Sequence, residues 1–407
     1  MTVDFSQVTL RELLAFANGR SSPERADGLP HPVYGSNGII GYSNEANADA
    51  GTIIIGRVGS YCGSLHFSNE KCWVTDNAIR ATAIGDNEAR FLFYLLADLH
   101  LNNWRSGSGQ PLLNQEILGS IRAVVPEPPE QRAIAGVLGS LDDKIEQNRR
   151  TGSKLERLAR AIFQAWFVDF EPVKAKATGA TALPSMPQPV FDALPTRFVD
   201  SAIGPVPEGW EVKPITQVAT FLNGLALQKY PPRNDGQDLR VIKIAQLRKG
   251  STDGADWANS DVPEQYVVED GDLLFSWSGT LEAEFWFGGR GALNQHLFKV
   301  TSAHFPSWFC FLWIRQHLPD FRAIAAGKAT TMGHIQRRHL QEAKVVVPPA
   351  DVVQAAVAAI GSLYDLHAQV MIESRKLAGM RDLLLPKLLS GQVHVSDFDQ
   401  LVPRGVA

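Results

Sequence analysis

The chain has 407 residues, 44% of them apolar, which is enough for two or three packed domains. Its formal net charge of −4 argues against a surface that binds nucleic acid everywhere, though not against local basic faces. The opening MTVDFSQVTLRELL has an early acid and no leader-like apolar stretch, and no uninterrupted apolar run of about 18 residues follows; a cytoplasmic protein with no membrane partner is expected.

In chain order, residues 1–125 form a first block of mixed character. GTIIIGRVGS, ending at Ser60, reads as a strand entering a small-residue turn. TDNAIRATA follows, then an aromatic-rich helix, RFLFYLLADL, a Gly/Ser loop, SGSGQPLLN, and a short strand ending in VVP. Cys62, Cys72 and the later Cys310 lack C-x-x-C spacing and read as buried small side chains in a reducing compartment.

Over residues 126–170 the apolar positions step by four and three: Ile134, Leu138, Leu141, Ile145, Asn148, Gly152, Leu155, Ala159, Ile162 and Trp166. This is a coiled-coil period, with Pro128 and Pro129 suited to the first turn and Pro172 to the stop, so a helix of about 39 residues is predicted. Residues 171–207 are rich in proline and small residues and read as an extended connector.

A second mixed block, 208–347, repeats the order of the first: GDLLFSWSGT, LNQHLFKVT, an aromatic helix WFCFLWIRQHL, a loop AGKATTMGHIQ and a strand ending in VVP. A second helix over 348–390 is predicted, with Asp351 as N-cap, a seam through Ala356, Ile360, Leu363, His367, Val370, Ser374 and Leu377, and Pro386 as its end. A tail, 391–407, closes on LVPRGVA, which resembles either a protease-site remnant or a natural tail.

The two helices align without a gap at an offset of 222 positions, with eleven of the thirty-five residues from Val124 to Leu158 identical in the second copy. That is an internal duplication. Neither amphipathic helix can bury its stripe alone, so pairing with the other copy is expected, with Asn148 fixing the register as a single polar residue in an apolar seam.

On these features, and above all on their order, the chain resembles the specificity subunits of type I restriction-modification systems. The carrying stretches are PPEQRAIAGVLGSLDDKIEQNRR, AWFVDFEPVKAK, FVDSAIGPVPEGWEV, YGSNGIIGY and LNQHLFKV. The resemblance covers nearly the whole chain. It implies an α+β protein in which two target-recognition domains of mixed α/β structure stand in tandem, separated by two long antiparallel coiled-coil helices with internal pseudo-two-fold symmetry. It further implies a non-catalytic subunit that binds double-stranded DNA and docks two modification methyltransferase subunits, which carry S-adenosylmethionine, and two restriction subunits, which use ATP and Mg. The spacer and docking residues then include Gln131, Ile134, Leu138, Leu141, Ile145, Asn148, Leu155, Ile360, Leu363 and Leu377. The second helix departs from the pattern: it opens PPADVVQAAV and lacks the PPEQR of the first.

Catalytic readings are weaker. Asp320, Glu342 and Lys344 match a loose Mg-dependent nuclease pattern, but Asp320 falls at the end of a predicted helix and the first copy has no equivalent set. GKAT at Gly327 lacks the upstream glycine of a phosphate loop. No cofactor motif of a methyltransferase and no paired Cys/His ligand spacing is present, so no metal or cofactor is expected in this chain. A tandem protein-interaction adaptor is the other alternative.

DNA contact is better supported. Arg322, Lys328, Arg337, Arg338 and Lys344 crowd a segment with the single acid Glu342, beside Thr330, Thr331 and His334. Arg105, Ser108 and Gln110 are the counterparts in the first block, with Arg57 and Ser60 in its glycine turn and Ser278 and Thr280 in the second. Arg pairs with guanine, and Asn or Gln with adenine, so Asn37, Arg57, Gln110, Gln246 and Arg248 are the base-reading candidates. Asn77, Asn294 and Gln295 suit core backbone bonding equally well.

Overall fold

The computed structural model describes residues 5–105, 112–184, 186–327 and 333–399. The chain divides into two compact units, Met1–Ile145 with Leu377–Ala407, and Glu146–Lys376.

In the first unit, β-branched and apolar runs build a four-stranded antiparallel sheet in the order Leu14–Asn18, Ala78–Ala83, Thr52–Gly56, Leu65–Ser68. Thr52–Gly56 (TIIIG) is buried throughout, as an inner strand covered on both faces must be. A smaller sheet orders Gly38–Ser43, His31–Gly35 and Trp73–Val74, the last two parallel. Phe5–Thr9 pairs with Arg122–Pro126 and clasps the two ends of the domain. The helix Ala89–Asp98 buries Phe91, Leu92, Leu95 and Leu96 in a core with Ile53, Ile55 and Ile79.

The second unit has the same plan. Its antiparallel sheet orders Thr220–Asn223, Leu297–Thr301, Leu273–Ser276, Ala283–Phe285. Its smaller sheet again contains a parallel pair, Leu239–Ile242 with Gly291–Leu293. Glu211–Pro214 and Lys344–Val347 form the clasp, and the aromatic helix Ser307–Ala326 covers the core. The duplication therefore runs through the sheets as well as the helices. One local difference matters: His31–Gly35 turns into a second strand, whereas Leu239–Ile242 leads into the short helix Ile244–Lys249.

The first long helix is α-helical over Pro128–Phe163 and ends in a π turn, Gln164–Val168. Its start is bolted to the first domain by Gln131, 1% exposed, which accepts from Glu88 N–H (3.0 Å) and donates to the Asn87 side chain (3.0 Å) and the Pro126 carbonyl (2.9 Å). Ile134 and Leu138 enter the first domain's core, where Leu388 and Leu389 also lie. In the second unit, Phe163 meets Trp313 edge-on at 5.2 Å and Phe167 meets Phe309 at 5.6 Å, within a core that includes Ala159 and Trp166.

The second helix runs Ala350–Ala356, a π turn Val357–Gly361, then Ser362–Leu389. It packs antiparallel on the first: the Asn148 amide donates to Glu373 at 2.7 Å, and Gly152 faces His367 and Met371. In the first unit Arg381 pairs with Asp142 at 2.7 Å. Leu141, Ile145, Leu155, Leu363 and Leu377 are half-buried along these helices, and Ile360 is fully buried.

Three sequence expectations differ from the structure. Pro349, not Asp351, holds the N-cap position; the Asp351 carboxylate instead accepts from Val352 N–H at 2.9 Å within the first turn. Pro386 lies inside the helix, which continues to Leu389, because proline removes one N–H without preventing its own carbonyl from accepting from Ser390 (3.0 Å). The stretch between the halves folds as short helices, Glu171–Ala177 and Gln188–Ala193, and a hairpin, Phe198–Val199 with Val206–Pro207, rather than running extended. Pro172 and Pro189 sit in first turns, where they favour helix, and Val173, Met186, Phe191 and Leu194 are buried in the second core.

All three cysteines are free and buried. Helix Ala350–Leu389 is long and apolar enough on average, at a mean hydropathy of 1.3 over its most apolar window, to match a membrane span by composition. Its Val352, Ala356, Ile360 and Tyr364 are core residues of the second unit.

Replacing Gln131 by alanine leaves a buried N–H and a buried carbonyl without a partner. We expect the first domain to lose about 1–3 kcal/mol, read as a lower denaturation midpoint; an unchanged midpoint would contradict the bolting role.

Candidate nucleic-acid interface

Each large sheet ends in an edge built from three chain turns, and the two edges share one backbone frame. In the first domain, Gly19 N–H donates to Ala78 O (3.0 Å), Arg20 N–H to Val74 O (3.0 Å), Arg57 N–H to Asn77 O (3.0 Å), Leu113 N–H to Arg57 O (3.1 Å) and Ala78 N–H to Thr75 O (3.0 Å). In the second, Gly224 N–H donates to Leu297 O (2.9 Å), Leu225 N–H to Leu293 O (3.0 Å), Trp277 N–H to His296 O (3.3 Å), Ile335 N–H to Trp277 O (2.9 Å) and Leu297 N–H to Asn294 O (3.0 Å). Every bond of one frame has its counterpart in the other.

Two glycine pairs explain why the frame is possible. A Cβ on Gly19 would overlap the Thr75 carbonyl, and one on Gly224 the Asn294 carbonyl, so only glycine admits these approaches. Gly59 (φ 72°) and Gly279 (φ 62°) make the left-handed turn that leaves each inner strand.

The frame gathers many of the sequence candidates. Arg57 and exposed Ser60 lie at the first edge, and the hairpin tip carrying exposed Asn37 docks there through a Ser36 Oγ–H bond to Asn77 O (2.7 Å). Arg105 caps the turn Leu101–Trp104 and its charge reaches the Cys62 thiol, which burial pushes up. Ser278, Thr280 and His334 lie at the second edge: Ser278 is bridged to His334 in the backbone, and its Oγ is 2.9 Å from His296 Nδ1. Thr280 is exposed and lines a cavity with Gly279, Arg322 and Gly333. Arg337 and Arg338 are exposed on the helix Arg337–Glu342 that follows. Ser108, Gln110, Lys328, Thr330 and Thr331 lie outside the described residues.

Other candidates fall elsewhere. Gln246 is 8% exposed, and its carbonyl oxygen accepts from Lys243 N–H as part of a helix cap. Arg248 is exposed but lines a cavity with Arg149, Glu156, Glu284 and His367, against the paired helices. There burial pushes the Glu284 carboxyl up to about 7 despite Arg315 at 2.8 Å, and Glu156 and Glu282 add to the rise. Arg322 is tied to Leu281 O and Glu282, both at 3.0 Å. Asn294 is 5% exposed and accepts from His296 N–H (3.2 Å), a core role, whereas Asn77 is exposed on the first edge.

Asp320, Glu342 and Lys344 do line one cavity, with His317 and His339. Asp320 lies within the helix Ser307–Ala326 rather than at its end, and His317 is bonded to the Lys344 carbonyl at 2.9 Å. Among the described residues, no group of three or more His, Cys, Asp or Glu side chains is placed to hold a metal ion.

Two like domains that present the same backbone edge with different side chains, carried on paired helices, define a tandem recognition protein. Residues 2–157 and 207–376 match the family described as type I restriction modification DNA specificity domain, and the chain belongs to it as the non-catalytic DNA-specificity subunit of a type I restriction-modification system. It is 23% identical over 355 residues to the type I restriction enzyme HindI specificity subunit of Haemophilus influenzae, covering 75% of each chain. It is 24% identical over 330 residues to the MjaIX specificity subunit of Methanocaldococcus jannaschii, covering 76% of this chain and 70% of that one. The fold is similar to that of a type I restriction-modification S subunit from M. genitalium, with a TM-score of 0.60 at 13% identity over 95% of this chain and 96% of that one.

Arg338 is exposed on the helix beside the second edge, its Nε donating to His339 Nε2 at 3.3 Å, and the expected contact with a phosphate can be tested there. Arg338→Ala should weaken binding to all sequences alike and lower the salt slope of binding by about one; an unchanged slope measured by DNA titration would contradict that contact.

Proposed function

We propose that the chain reads a bipartite, asymmetric duplex site, one half-site per domain, and presents its paired helices to modification methyltransferase subunits, two per complex, and to restriction subunits. The observation that carries this is the repeated frame: the backbone is held alike in both domains while Arg57, Ser60 and Asn77 stand where Trp277, Thr280 and His296 stand in the other. A conserved support with different side chains is what two readers of unlike sequences require.

The readers proposed for the first half-site are Asn37, Arg57, Ser60 and Arg105, with Ser108 and Gln110. For the second they are Ser278, Thr280, His334, Arg337 and Arg338, with Lys328, Thr330 and Thr331. S-adenosylmethionine belongs to the modification partners, and ATP and Mg to the restriction partners; the assembly works in the cytoplasm on duplex DNA.

Helix length sets the scale of the gap. The segment Pro128–Phe163 has 36 residues, about 54 Å at 1.5 Å per residue. One duplex turn is about 34–36 Å, the spacing at which two readers meet the same groove on one face. After allowance for the width of the domains, the two half-sites are expected to be separated by unread bases, with centres about one turn apart.

Modularity is the property to test. Exchanging residues 205–345 for the homologous block of a relative with a different target should change one half-site and leave the other intact. Sequencing of the sites modified by the exchanged complex reads this out, and a change in both halves would defeat the modular reading.

A further inference from the structure

The internal duplication makes the second domain a control for the first. At its sheet edge the second domain is closed on itself. The Trp277 indole N–H lies 2.8 Å from the Asn223 side-chain oxygen and 3.0 Å from the Gln295 carbonyl, and Ser278 is bonded to His296. The Trp277 ring is further covered by His334, edge-on at 6.3 Å.

The first domain's edge lacks that closure among the described residues. The residue equivalent to Trp277 is Arg57, whose Nε is buried and has no hydrogen-bond partner. His66 Nε2 and Thr75 Oγ1 are likewise buried without a partner, and Thr75 is 2% exposed. These three groups stand on neighbouring segments of the first edge. Arg57 leaves the strand Thr52–Gly56, Thr75 opens the turn to Asn77, and His66 lies against Gly38 at the hairpin tip. Asn77 ties the parts together: its carbonyl accepts from Arg57 N–H and from Ser36 Oγ–H.

Four other arginines of this domain are engaged within the protein. Arg11 donates to Gly119 O (3.2 Å), Arg25 to Ile40 O (2.9 Å), Arg80 to Asn47 O, and Arg90 pairs with Asp143 (2.7 Å). Arg57 makes no ion pair among the described residues. A half-buried guanidinium with an unmet donor is costly unless a ligand supplies acceptors. On the edge of a base pair, the fork of arginine donors finds two acceptors side by side on guanine, at O6 and N7.

We infer that Arg57 is the guanine reader of the first half-site, its guanidinium left unpartnered on the frame for DNA to meet, and that the position shared by Arg57 and Trp277 is where the two domains part in specificity. This rests on the first domain being a half-site reader. Because Trp277 directs its N–H into the protein, the second domain makes no equivalent guanine contact from that seat.

Selection of bound duplexes from a random library by the assembled complex tests this. The wild-type complex should fix a guanine at one position of the first half-site. Arg57→Ala, and equally Arg57→Lys, should relax that position by about 10- to 100-fold in preference, while the second half-site and the gap stay as they were. Retention of the same guanine, or equal weakening of all sequences as for a phosphate contact, would overturn the assignment. If the variants fail to fold, wild-type complex is probed on duplexes methylated at guanine N7: interference at one guanine of the first half-site is expected, and none in that half overturns the inference. A wild-type selection that returns no pair of half-sites at all overturns the half-site reading and this assignment together.

Discussion

The buried amide of Asn148 is the constraint on which the scaffold turns. It lies 2% exposed between the two helices and donates to Glu373 at 2.7 Å. A slip of the helices by one turn would leave it without that partner, at a cost that the neighbouring half-buried leucines and isoleucines, which tolerate many registers, do not impose. Gly152, one turn on, admits His367 and Met371 close to the first helix, so shape and polarity agree on one alignment.

Each unit carries its own copy of one reading frame. The five backbone hydrogen bonds of each sheet edge are matched pair by pair, and the tight approaches of Gly19 and Gly224 permit no side chain at either place. Specificity is therefore confined to side chains that project from a fixed frame, and substitution there does not require the sheet to change. The same division appears at the helix starts. Gln131 secures the first helix with three hydrogen bonds, whereas the equivalent position in the second copy is Val353, 7% exposed and held by packing. The departure of PPADVV from PPEQR is thus a change in how a helix is anchored to its own domain.

Much of this architecture was legible because duplication and heptad spacing are periodic signals that survive without knowledge of tertiary contacts. The two long helices, the aromatic helices and the strand–turn–strand order of each block all come from such patterns. The π turns at Gln164–Val168 and Val357–Gly361 did not, since nothing in local composition marks one extra residue per turn. The stretch between the halves misled because prolines break regular elements in isolation yet begin short helices when Val173, Phe191 and Leu194 have a core to enter. At the candidate site, residue type alone could not separate Arg57 from Arg248, or Asn77 from Gln246. The distinction lies in where the fold puts each side chain: Arg57 and Asn77 on the sheet edge, Arg248 at a cavity beside the paired helices and Gln246 in a helix cap. Thr75 and His66 carried no sequence signal; aligning the ends of the duplicated sheets would have raised the position of Arg57 against Trp277.

On the proposed reading, two unlike half-site readers are built on one frame. The most direct measurement is a base-resolution map of DNA modification in cells that carry the chain with its modification partner, against cells that lack it. Two short, different half-sites with an invariant gap and centres about one duplex turn apart are expected. A single contiguous motif, two identical half-sites, or half-sites whose spacing varies would contradict that reading.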